Sequence, residues 1–69
     1  MPITMCGAGN SAVIRKLGGK SETRRFLETL GFTPGENVTV VSENDGGLIL
    51  TVKGSRVALD RSLAQRIMV

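Results

Sequence analysis

The block Leu30-Gly31-Phe32-Thr33-Pro34-Gly35 sits near the middle of the chain and lets neither a helix nor a strand run through it. Gly31 suits the left-handed position that stops a helix, and Phe32 just beyond it is placed to fold back onto Leu27 in a Schellman-type stop. Thr33-Pro34-Gly35-Glu36 then carries Pro at the second and Gly at the third turn position, as a type II turn requires, because Gly alone takes positive φ cheaply. Any helix before the block ends at Leu30, and the chain reverses after it. A chain of 69 residues buries only about 60% of its unfolded surface, so one compact domain over residues 1–69 is expected.

From Ser21 the apolar spacing is helical. Ser21 is placed as an N-cap and Glu22 favours the positive helix end; Phe26, Leu27 and Leu30 fall on one face, so both Phe26 and Phe32 are expected in the core. Arg24, Arg25, Glu28 and Thr29 lie on the opposite side, with Arg24 and Glu28 spaced for an i,i+4 pair. That side is solvated or docks a partner. Ahead of the helix, residues 11–17 read as a first strand around β-branched Val13 and Ile14, ended by Gly18-Gly19. Ile3 to Met5 form a stretch able to pair at a sheet edge, and Gly7 and Gly9 make the following segment a turn.

Beyond the reversal the pattern is a meander: residues 37–43, a turn at Asn44-Asp45-Gly46-Gly47, residues 48–53, a tight turn at Gly54-Ser55, and residues 56–59. Val38 and Val40 alternate with Thr39 and Val41, and Leu48, Leu50 and Val52 with Ile49, Thr51 and Lys53, so each strand has a buried face. Asp60 is placed to cap a short helix over residues 61–67, with a last short strand at the C-terminus. The expected fold is mainly β: a small SH3-like barrel of about five strands, one α-helix inserted after the first, and a short helix near the end. A flat sheet of this size would expose both edges and one face.

The same residues narrow the chemistry. With no histidine, the commonest general base and the imidazole metal ligand are both missing, and the carboxylates fall on separate elements, so catalysis is not expected. Asn44-Asp45-Gly46 lacks the alternate ligands and closing Glu of a calcium loop, and the glycines build no phosphate-binding loop. The lone Cys6 cannot close an internal disulfide, its neighbours bring no activating charge, and it indicates a reducing compartment such as the cytoplasm. Cys6 and Met5 with a surface carboxylate are weak candidates for a labile Fe(II) or Zn(II); no cofactor is required. The net charge of +3 favours acidic partners, but the basic residues are scattered and Phe26 and Phe32 are the only aromatics. Neither a proline-peptide groove nor a base-stacking nucleic-acid surface is expected from so few rings. No apolar run is long enough to cross a bilayer, so direct membrane insertion is not expected.

In order, a strand, Gly-Gly, the segment RRFLETLGFTPGENVTVV and the ending VKGSRVALDRSLAQRIMV resemble the FeoA family. The residues that carry the resemblance are Arg24, Arg25, Leu27, Leu30, Gly31, Phe32, Pro34 and Gly35, then Gly54, Ala58, Leu59, Ala64, Ile67 and Val69, across residues 11 to 69. The chain departs from the family in having Ala8-Gly9 where a Pro-Gly turn is common, and Gly46-Gly47 where a proline follows the second strand. The resemblance implies a non-catalytic, cytoplasmic, SH3-like accessory protein of ferrous iron uptake. Its implied partner is the cytosolic, GTPase-like portion of a membrane Fe(II) transporter of the FeoB kind; the helix pattern adds the expectation that docking uses the face of Arg24, Arg25 and Glu28 and the adjoining loops. Gly31, Pro34 and Gly35 are structural turn residues on either reading. The alternatives are a transition-metal-binding or metal-responsive module, related in barrel to the C-terminal domain of iron-dependent repressors, and, less favoured, a nucleic-acid-binding barrel. A weak homo-oligomer formed through an exposed strand edge or the Met5-Cys6 segment is also open.

Overall fold

A computed structural model of the chain describes residues 1–69. Its elements run as a 3-10 turn Ile3–Met5, strands β1 Ser11–Val13 and β2 Lys16–Leu17, helix α1 Ser21–Thr29, strands β3 Asn37–Asn44, β4 Gly47–Val52 and β5 Ser55–Asp60, helix α2 Arg61–Ala64 and strand β6 Ile67–Met68. Four strands make one sheet in the order β1-β3-β4-β5, and β2 pairs with β6. Every strand pair is antiparallel.

The central block folds as its residue types require. Gly31 has φ +103°, and Phe32 N–H donates to the Leu27 carbonyl at 3.0 Å while Gly31 N–H donates to that of Glu28 at 3.0 Å, the paired bonds of a Schellman stop. Gly35 follows at φ +90°, with Glu36 N–H donating to the Thr33 carbonyl at 3.0 Å. The reversal delivers the chain to β3, where Val38 lies opposite Val52 and Val40 opposite Leu50, all four buried. Pairing then shifts by one residue between Val40 and Ser42, leaving Val41 as a bulge with its side chain exposed. A bulge bends its strand and adds twist, which lets a small sheet wrap around a core.

The β4–β5 hairpin closes through Lys53 and Gly54, at φ 50° and 77°, with Val52 and Ser55 as the last pair. The tight turn thus stands one residue earlier than the expected Gly54-Ser55, because two successive positive φ values match the twist of the flanking strands. At the other end of the hairpin, Asn44 Oδ1 accepts from Gly46 N–H at 2.8 Å and Gly47 N–H at 3.0 Å.

The N-terminal third departs most from expectation. The first strand is two strands in two sheets: Ile14 turns into the core, its N–H donating to the Glu36 carbonyl at 2.9 Å, and Arg15 N–H donates to that of Met68 at 2.7 Å. The bend carries the chain from one sheet to the other and makes six strands rather than five. Ile3 to Met5 form a 3-10 turn instead of an edge strand; Ile3 is fully buried, and Pro2 alone bridges to Met68. The last helix stops at Ala64, short of the expected residue 67, since Ile67 belongs to β6 and fills the core.

Candidate functional site

Helix α1 touches the barrel along a narrow stripe. Leu27 is its one fully buried side chain, flanked by partly buried Thr23 and by Leu30 just past the helix. Residues 23, 27 and 30 recur at helical period, so Phe26, about 100° round from Leu27, is turned away. Phe26 is 49% exposed, which corrects the expectation that both phenylalanines pack in the core. Phe32, brought back by the glycine stop, is fully buried.

The basic residues of the helix separate in the same way. Lys20 occupies the N-cap position with no side-chain cap, and the expected cap, Ser21, is the first helical residue. Arg24 reaches back over this uncapped end: its Nη1 donates to the Gly19 carbonyl at 2.7 Å and its Nη2 lies 3.4 Å from Ser21 Oγ. The expected Arg24–Glu28 pairing is replaced by this contact, because the Gly19 carbonyl and the Ser21 hydroxyl are the acceptors Arg24 meets. Arg25 and Glu28 stay exposed on either side of Phe26 in sequence. The outer side of α1 is therefore an aromatic ring set among charged groups, with Arg24 tied down and Arg25 exposed. Spacing did not separate the two, since Leu30 stands at helical distance from both Phe26 and Leu27.

The sulfur pair is not completed. Met5 is 69% exposed, and Cys6 is half-buried, packing against the core. No three Cys, Asp or Glu side chains converge on one point, so the residues present do not fit a resident metal ion. At the start of α2, Asp60 Oδ1 caps the helix by accepting from Leu63 N–H at 2.8 Å and from Ser62 Oγ at 2.8 Å. These bonds, the backbone one first, hold its carboxyl below the ordinary aspartate range. Beside Asp60 a shallow hollow of about 370 Å³ opens over Gly47 and Ile49 of β4 and Ala58 of β5. Gly47 is obligatory there, because a Cβ would collide with the Leu59 carbonyl oxygen. No helix is long and apolar enough to cross a membrane.

The molecule is similar to proteins of iron transport. A Fe(2+) transport protein A of Methanocaldococcus jannaschii is 28% identical over 68 residues, covering 99% of this chain and 83% of that protein. The crystal structure of an iron uptake regulatory protein, FeoA, superimposes with a TM-score of 0.93 at 31% identity, covering all of this chain and 93% of the other. FeoA of Stenotrophomonas maltophilia, crystallised with zinc and described as a prokaryotic SH3 domain protein, superimposes with a TM-score of 0.86 at 30% identity over 100% of this chain and 88% of that one. The barrel is thus SH3-like, as the alternation of strands and turns predicts. The family model of the FeoA domain matches residues 1–69 from end to end, and the chain belongs to that family.

Proposed function

We propose that this chain is a non-catalytic accessory protein of ferrous iron transport that docks through the outer side of α1 onto the cytosolic, GTPase-like part of a membrane Fe(II) transporter. The observation that carries the reading is Phe26: an aromatic side chain half out in water on a helix whose opposite side is anchored by Leu27. Aromatic and arginine side chains supply most of the energy of protein interfaces, and Arg25 stands beside Phe26 in the chain. The surplus of basic groups would speed encounter with an acidic surface. Family membership supports the biological setting, since relatives are named for Fe(2+) transport and iron uptake.

The chain works by binding because its polar groups are dispersed. With no histidine and no converging carboxylates, it has nothing to move a proton or hold a nucleophile at a fixed point. A metal-responsive module, the alternative reading, draws support from the zinc bound to the Stenotrophomonas maltophilia protein, but the scattered donors of this chain do not favour it.

The test is a calorimetric titration into the cytosolic domain of the cognate transporter, with and without guanine nucleotide. Saturable one-to-one binding is expected, lost in Phe26→Ala and in Arg25→Glu. Binding unchanged in both variants sinks the helix-face reading, and no binding under any nucleotide condition sinks the accessory role itself.

A further inference from the structure

The four-stranded sheet ends on β5, six residues with nothing paired along their outer side. Antiparallel neighbours alternate between pairs that exchange main-chain hydrogen bonds and pairs that do not. In the β4–β5 ladder the bonded set starts with Val52 and Ser55 at the two-residue turn, and Arg61 N–H donating to the Gly46 carbonyl at 3.2 Å keeps the same phase. Ser55, Val57 and Leu59 therefore direct their main chain to β4. The N–H and C=O groups of Arg56 and Ala58, and the N–H of Asp60, point outward, and no turn or side chain of the molecule takes them up. Their side chains are all exposed on the outer face, whereas Val57 and Leu59 face the core.

An edge like this invites another strand. Its charges say which one. We infer that β5 is the self-pairing surface of this protein: two copies add edge to edge, antiparallel, about a two-fold axis through Ala58. Only outward-pointing residues can pair with outward-pointing ones, which limits the registers. Centred on Ala58, Arg56 faces the partner's Asp60 at both ends, and opposite charges directly across a ladder stabilise it. Centred on Arg56 or on Asp60, like charges meet on the axis; centred on Val57 or Leu59, fewer pairs form and Arg56 has no acid opposite it. The favoured register also sets Val57 beside the partner's Leu59 on the inner face, carrying apolar contact across the join. On the outer face the partner's Arg56 lies at the hollow beside Asp60, which opens over Ile49 and Ala58. The other free edge, β1, has three residues and no charge to choose a register.

One strand pair is a small interface, so the dimer is reversible and concentration-dependent. Sedimentation equilibrium of the intact chain should show a monomer–dimer transition between about 10 μM and about 1 mM, the span suited to so small an area. Arg56→Glu, an exposed change that sets a glutamate of one copy against the partner's Asp60, should weaken association by about tenfold or more. Asp60→Asn, which keeps an N-cap oxygen for α2, should weaken it less. Ala58→Pro removes one outward N–H without touching the β4 ladder and should abolish pairing while circular dichroism stays native. Amide exchange at Ala58 should slow with rising concentration. A chain that stays monomeric at about 1 mM overturns the proposal and leaves the edge to a strand from another protein. A dimer indifferent to Arg56→Glu and Ala58→Pro overturns it too, by placing the contact elsewhere.

Discussion

Phe26 and Phe32 lie on either side of one helix end and meet opposite fates: the first is half exposed on α1, the second wholly buried beneath the stop that follows it. By side-chain chemistry they are identical. What separates them is the direction of backbone delivery. The left-handed Gly31 swings Phe32 under the helix onto Leu27, while Phe26 remains on a helix whose single anchor points another way. Hydrophobicity brings a side chain toward a core only where the backbone lets it arrive. The exposed ring is the one available for recognition, and the buried ring is committed to stability.

The contrast breaks most severely at Phe32. Phe32→Ala should cost about 3 to 5 kcal/mol in urea unfolding, enough to leave a domain of this size barely folded. Phe32→Leu should retain a cooperative transition, with a loss under about 1.5 kcal/mol. Gly31→Ala tests the delivery itself. A Cβ there has room, 3.5 Å from Lys53 Cδ, so the cost is conformational and should be about 1 to 2 kcal/mol by the same assay. A negligible change would mean that the left-handed stop does not place Phe32.

Phe26→Ala should behave in the reverse sense, changing stability by less than about 0.5 kcal/mol while abolishing detectable heat in the transporter titration. A loss of stability comparable to that of Phe32→Ala would remove the distinction between the two rings. The smallest effect concerns α2 and should leave both phenylalanines in place. Asp60 titrates below its ordinary value of 3.8 because the folded state bonds its charged form, so that stabilisation is present above the unfolded value and fades as pH falls through the lowered folded one. Asp60→Asn should flatten this limb of the acid-unfolding curve, measured by circular dichroism below about pH 4.

Legibility followed the range of the forces involved. The type II turn, the Schellman stop and the Asp60 cap could be read because each is decided within a few residues: Gly31, Gly35 and Asp60 meet their partners close along the chain. The cap expected at Ser21 was misplaced by one residue, because Lys20 holds the N-cap position with extended backbone and Ser21 already lies inside the helix. Of the docking residues expected on the helix, Arg25 and Glu28 are exposed and Arg24 is bound to the turn before it, while Phe26, expected in the core, lies on the exposed side. A helix of nine residues presents two adjacent apolar side chains, and periodicity alone does not say which of them the barrel will meet.

The amino-acid order by itself determined where the chain must turn, where its one substantial helix ends and which faces of β3 and β4 are apolar, since backbone sterics and alternation act locally. Only the tertiary structure decided that residues 11–17 divide between two sheets, that Ile3 is a core residue within a 3-10 turn, and that β5 is left as an edge with its charges placed symmetrically about Ala58. The division of residues 11–17 depends on Glu36, Met68 and the closure of the barrel. Hydrogen bonds to residues so far along the chain form only when the whole sheet is assembled, so no local pattern of residues 11–17 announces them.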